Sequence, residues 1–224
     1  MNNYKTIDLD SYPRKEHFQR FLACEYPHIT GTFEVDITKW LHHIKEKGYP
    51  FHLSFVYAAA RAANSVPEFR RRIKDKGIIE YDYCNPSYTV ALPDETYRFC
   101  MVNTNQPFDV YLEESKIRHE KSLHAKHLAE EGDPESLLFT TSTPWFYYTQ
   151  ANLPIPSRDF SIPNLGWGKY KTEKKLALVD GQVTEYEVVT IPFTIMAHHA
   201  LVDGFHMSKV LDNLDAELTA MLSF

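Results

Sequence analysis

Apolar and polar positions alternate through Thr32-Phe33-Glu34-Val35-Asp36-Ile37 as they do in a half-buried strand, and residues 39–47 then read as a short helix ended near Gly48. Residues 50–64 carry an apolar run in which Ala58, Ala59 and Ala60 sit together, which predicts a helix buried on most sides and bounded by Pro67. From 77 to 101 the period becomes that of strands. Segments 78–81, 87–92 and 97–101 are separated by turn residues at Asn85-Pro86 and Pro93-Asp94, so sequential strands are predicted. Residues 110–131 are charged and free of Gly and Pro, with Leu112, Ile117, Leu123 and Leu128 at loosely helical spacing. A surface helix ended by Gly132 follows. Residues 137–148 return to strand. Segments 175–179 and 184–195 flank Asp180-Gly181 as a hairpin whose second strand runs into His198-His199. Beyond it, Met207, Leu211, Leu214, Leu218, Met221 and Leu222 recur at helical spacing, leaving Asp203 and Gly204 in a strand-to-helix turn before an amphipathic C-terminal helix.

This order of elements predicts an α/β protein of mixed α+β character, with one large sheet and helices packed on it. The 224 residues contain no low-complexity linker, Gly/Ser-rich hinge or short repeat, so one domain over 1–224 is expected. The 14 Tyr, 14 Phe and 3 Trp favour β-rich structure with a large interface or an aromatic-lined pocket. A charge of -6 without a basic block argues against a nucleic-acid partner. No run approaches the roughly 18 apolar residues of a membrane span, and the first residues lack the apolar core of a secretory signal. Three widely spaced cysteines, Cys24, Cys84 and Cys100, suit reduced thiols. A cytoplasmic location away from membranes is expected.

Chemistry concentrates in His198-His199-Ala200-Leu201-Val202-Asp203-Gly204. Histidine alone has an unperturbed pKa near neutrality, and a strand end followed by a tight turn presents His199 on a rigid element at a sheet edge. Asp203 suits holding the turn, by accepting backbone hydrogen bonds or pairing with a buried cation, and Gly204 suits a conformation closed to other residues. Two other readings stay open on these residues alone. The histidines can be ordinary core or interface side chains, or His198, His199 and His206 can ligate a metal, although adjacent strand residues point to opposite faces.

Together with Phe205 and His206, this motif resembles the active-site signature of the chloramphenicol acetyltransferases. Condensation enzymes and the acyltransferase domains of 2-oxoacid dehydrogenases carry relatives of it. Arg14-Lys15-Glu16-His17-Phe18 resembles the family's opening segment, 33–37 its first long strand, and Thr141-Ser142-Thr143-Pro144-Trp145 its central segment. The resemblance therefore spans nearly the whole chain. It implies a two-layer sandwich of a large mixed sheet with packed helices, assembled as a homotrimer whose subunit interfaces bind acetyl-CoA and a hydroxyl-bearing acceptor. It further implies His199 as general base and no metal.

By the same resemblance Arg14 pairs with Asp203 to brace the turn. Read in isolation, Arg14 beside Lys15 and Arg20 is a solvated surface charge. Thr141 stands where the family places a serine that donates to the oxyanion, with Ser142 as the neighbouring register. A strand threonine chosen for β propensity is the plainer reading. Phe21, Phe99, Met101, Leu153 and Ile155 match acceptor-pocket positions, and Trp145, Lys169 and Tyr170 match groups along the CoA arm. Glu25, Ala151 and Gly166 depart from the family pattern, the last near a family threonine that helps hold a water. These departures leave room for a different hydroxyl acceptor. A trimeric ligand-binding protein without catalysis is the remaining alternative.

Overall fold

Strands and helices form close to where the periodicity puts them. The computed structural model describes residues 4–130, 132–179 and 182–224. In chain order the elements are β1 (Tyr4–Ile7), α1 (Lys15–Leu22), β2 (His28–Asp36), α2 (Thr38–Glu46), α3 (Phe51–Asn64), β3 (Arg71–Lys74), β4 (Gly77–Tyr81), β5 (Asn85–Ala91) and β6 (Tyr97–Met101). They continue with α4 (Phe108–Leu123), β7 (Leu137–Thr143), β8 (Asn164–Gly168), β9 (Lys171–Val179), β10 (Gln182–His198) and α5 (Gly204–Ala220).

The large sheet runs β2-β10-β8-β7-β5-β6, with β9 paired to the first half of β10. It is mixed: β7 lies parallel to β5 and β8, and the other pairs are antiparallel. Helix α3 packs on one face, where Phe55 meets Trp167 of β8 and Phe193 of β10 at ring-centroid distances of 5.0 and 6.0 Å. Its buried alanines, Ala58 to Ala60 with Ala62 and Ala63, present little side-chain bulk, which lets α5 pack closely alongside. The opposite face of β8 is crossed by the segment 144–163. Two glycines make room for it. A Cβ on Gly166 would lie 3.3 Å from Leu153, and one on Gly168 would lie 2.8 Å from the Tyr148 ring.

Several local expectations are corrected. Strand β4 does not neighbour β5. It joins β1 and β3 in a separate three-stranded antiparallel sheet, because Asp75 and Lys76 both take positive φ and close a β3-β4 hairpin. Asn64 then exchanges two 2.8 Å hydrogen bonds with the backbone of Cys84 and turns the chain into β5. Helix α4 starts at Phe108 and stops at Leu123, short of the predicted end. The chain after it is held otherwise: Arg98 donates to the Ala125 carbonyl, and Ser87 donates to the Glu130 carboxylate at 2.6 Å. Strand β7 ends at Thr143, before Pro144, which lacks the N–H a ladder needs. Strands β9 and β10 pair in antiparallel register as a hairpin, and the Asp180-Gly181 turn between them lies outside the described residues.

Two histidines are enclosed on the packed faces. His52 of α3 sits against Tyr88 and Trp167 at 4.7 and 5.7 Å, and His198 is 2% exposed beside His28. Burial pulls each ring's pKa down to about 4, helped by His119 near His52 and by His28 near His198. The unfolded chain takes up these protons near pH 6.5 and the folded chain only near pH 4. Stability is therefore fully present above pH 6.5 and falls as the pH drops towards 4, by at most about 3 kcal/mol per ring. Urea unfolding measured from pH 7 to 4 should show this loss, and His52→Phe should remove about half of it.

Candidate active site

Strand β10 is paired with β2 over 190–198 and also with β8 over 193–196, and His199 follows its last residue. The backbone N–H of His199 donates to Pro27 at 2.7 Å, and its ring lies against Phe21 with centroids 3.8 Å apart. Its Nδ1 is 2.9 Å from the Val202 carbonyl. A carbonyl only accepts, so Nδ1 carries the proton and Nε2 keeps its lone pair, the tautomer a base requires. His198 points away, with Nδ1 accepting from the Ala200 N–H at 3.1 Å. Alternation along the strand thus separates the two rings, and among the described residues no cluster of three metal-ligating side chains forms.

The turn beyond His199 is fixed by Asp203, the N-cap of α5. Its Oδ1 accepts from the N–H groups of Phe205 and His206 at 3.0 and 3.4 Å, and His206 Nδ1 accepts from the Asp203 N–H at 3.1 Å. Its Oδ2 takes Nη1 of Arg14 at 2.6 Å, 189 residues away in sequence. Burial works against the Asp203 carboxylate, but the Arg14 hydrogen bond and charge, with the backbone N–H of His206, hold the pKa below the usual range. The pair is half-buried, with side chains 22% and 27% exposed, rather than sealed in the core. Gly204 has an ordinary φ, and a Cβ there would meet nothing within 4 Å, so this position has no steric need for glycine.

Thr141 and Ser142 face opposite ways. Ser142 Oγ is 3.5 Å from His52 Nδ1 on the α3 side. Thr141 instead lines a cavity of about 280 Å³ beneath the 144–163 segment, with Thr143, Tyr148, Ala151, Leu153 and Gly166. Phe99 of β6 pairs with Thr89, and Met101 with Ser87, two strands from Thr141 across β5. Trp145 and Ile155 are 70% and 43% exposed on the crossing segment. Lys169 donates its N–H to the Phe146 carbonyl at 2.9 Å, next to Tyr170, whose ring has Phe51 and the Lys45 ammonium each 5.6 Å away.

Register separates these residues into two groups within one chain. Thr141 lies opposite Gly166, Gly166 lies opposite Thr194, and His199 is five positions beyond Thr194. Two strand spacings and five residues of rise put Thr141 about 19 Å from His199. Arg14, Phe21 and Asp203 belong with the histidine. Thr141, Leu153 and the turn residues Trp145, Lys169 and Tyr170 belong with the cavity or beyond it. The Val202 carbonyl and Tyr148 were not singled out from the sequence. A backbone acceptor leaves no trace in residue type, and Tyr148 is one of four consecutive aromatics.

The fold has two layers, with this histidine and aspartate at the strand-to-helix turn that leads from β10 into α5. The solved structure of a chloramphenicol acetyltransferase matches it with a TM-score of 0.74 at 24% identity, covering 97% of this chain and 98% of the other. The cubic core of a pyruvate dehydrogenase multienzyme complex matches with 0.66 at 18% identity, covering 93% and 88%. The family model described as chloramphenicol acetyltransferase matches residues 1–215. Enzymes of that name from Escherichia coli and Clostridium butyricum are each 29% identical, covering 96% and 95% of this chain and 93% of each relative. The chain belongs to the chloramphenicol acetyltransferase family, a family of enzymes. Among the described residues no helix is long and apolar enough to cross a membrane.

Because the Arg14–Asp203 pair is part-exposed, Arg14→Ala should cost about 1–3 kcal/mol, less than the roughly 3–5 of a fully buried pair. Asp203→Asn keeps a capping oxygen but loses the charge. Thermal unfolding of both single variants and the double variant should give a coupling of about 1 kcal/mol or more.

Proposed function

We propose that the protein transfers the acetyl group of acetyl-CoA to a hydroxyl of chloramphenicol, with His199 as general base, in a single domain spanning residues 1–224. The observation that carries this is the His199 tautomer: Nδ1 is engaged by the Val202 carbonyl, so Nε2 has a lone pair to offer. An alcohol's pKa is far too high for unaided attack, and general-base assistance contributes about 10² to 10⁴ in rate. The hydroxyl proton passes to Nε2 as the oxygen bonds to the thioester carbon. The resulting oxyanion takes a hydrogen bond from the Thr141 hydroxyl. Collapse then expels the CoA sulfur, which receives the proton back from the imidazolium. Arg14 and Asp203 act on the turn that aims the ring.

Phe21 packs on the base, and Phe99, Met101, Leu153 and Ile155 supply apolar surface for the acceptor. Trp145 and Tyr170 suit the CoA arm, and Lys169 suits its phosphates as a point charge. No metal is needed for these steps. A separation of about 19 Å is too large for His199 and Thr141 of one chain to reach one reacting carbonyl. We therefore infer that each site takes His199 from one subunit and Thr141 from its neighbour, and from the family resemblance that the assembly is a homotrimer working in the cytoplasm on small-molecule substrates.

CoA thiol release with chloramphenicol as acceptor tests the reaction. His199→Ala should lower kcat by at least about 10²-fold, and Thr141→Val by about 10²- to 10³-fold, with folding intact. The assembly has its own test. If the two inactive variants are unfolded together in equal amounts and refolded, about one quarter of the interfaces pair an intact histidine with an intact threonine, and activity should return to that share. Return of no activity from a correctly assembled mixture would reject the shared site.

A further inference from the structure

Beside Thr141 the cavity wall carries a chain of hydroxyls that the steps above do not use. The Ala151 N–H reaches Thr32 Oγ1 at 3.4 Å, Thr32 Oγ1 lies 2.8 Å from Thr194 Oγ1, and Thr194 Oγ1 donates to the Tyr148 oxygen at 3.2 Å. Thr194 gives its single proton to Tyr148, and this sets the direction. Thr32 accepts from the Ala151 N–H and donates to Thr194, and the Tyr148 proton is left for a further acceptor. Chains of this kind polarise one another, so the terminal O–H is a stronger donor than an isolated phenol. Burial raises the Tyr148 pKa, so the group stays protonated.

The position of this hydroxyl is well determined. The Tyr148 ring occupies the notch left by Gly168, where a Cβ would come within 2.8 Å of it. The preceding residue is clamped from outside: Tyr147 donates to Glu34, Lys171 pairs with Glu34 at 2.8 Å, and the Lys171 ammonium lies 4.8 Å from the Tyr147 ring centre. Tyr148 and Thr141 both line the cavity, and Gly166, which lies between Thr141 and Thr194 on the sheet, offers no side chain. Leu153 supplies the apolar part.

We propose that Tyr148 is a specificity-determining residue that donates a hydrogen bond to a second oxygen of the acceptor, at the end of the cavity remote from Thr141. The acceptor class this selects is a small alcohol that carries another oxygen beyond its reacting hydroxyl, as chloramphenicol does. The inference rests on the acetyltransferase reading.

The test compares wild type, Tyr148→Phe and Thr194→Val by CoA release across chloramphenicol and acetyl-CoA concentrations, with calorimetric binding of chloramphenicol alongside. Loss of one hydrogen bond to a bound ligand should raise the chloramphenicol KM and Kd on the order of tenfold in Tyr148→Phe, and less in Thr194→Val, where the phenol remains but loses its anchor. The acetyl-CoA KM should stay within about twofold of wild type. Unchanged chloramphenicol KM and Kd in folded Tyr148→Phe would overturn the proposal, as would an equal rise in both KM values. Wild-type protein that neither binds nor turns over chloramphenicol would overturn the functional reading itself, which is seen without any variant.

Discussion

The pairing of β10 is the constraint on which the rest of the structure depends. Its seventeen residues cross the molecule, bonded to β9 in the first half and to β2 and β8 in the second. Where it has partners on both sides, over 193–196, the ladders satisfy its backbone groups, and the register cannot slip by one residue without turning its apolar set to the other face. That rigidity delivers His199 to one fixed place. The chain then turns at once, and the Val202 carbonyl, the Asp203 cap and Arg14 settle the ring, the helix start and the turn between them.

The same register keeps His199 and Thr141 apart. Thr141, Gly166 and Thr194 form one row across three strands, and the histidine lies well beyond the end of that row. Helices cover one sheet face, so Ser142 and His52 are committed to packing, while on the other face the 144–163 segment roofs the cavity beside Thr141. Small residues on β8 hollow that face, and the hydroxyls of Thr32, Thr194 and Tyr148 beside the hollow are linked to one another. His199 and the cavity are thus each well formed, and the proposed shared site would bring them together across two subunits.

Much of this is legible in the chain because the relevant forces are local. The 3.6-residue period of α5, the alanine run of α3 and the alternation of β2 report burial directly, and the elements they predict are present. The strand-to-turn-to-helix passage around Asp203 was also readable, since capping uses characteristic side chains at fixed offsets. Where local reading failed, a distant group had intervened. Helix periodicity in 110–131 was outweighed after Leu123 by Arg98 and Ser87, and β4 was drawn into a second sheet by a hairpin turn lacking the usual Asn-Gly or Asp-Gly pair.

Sequence by itself determined the element types, the family and the residues with chemistry to offer, His199, Asp203, Arg14 and Thr141 among them. It did so because periodicity, capping and motif spacing are properties of neighbouring positions. Tertiary structure alone decided which proton His199 carries, that Arg14 meets Asp203 across 189 residues, and that Tyr148 ends a hydroxyl chain in the cavity. Those outcomes depend on strand register and on backbone carbonyls, and neither is written in the identity of any single residue.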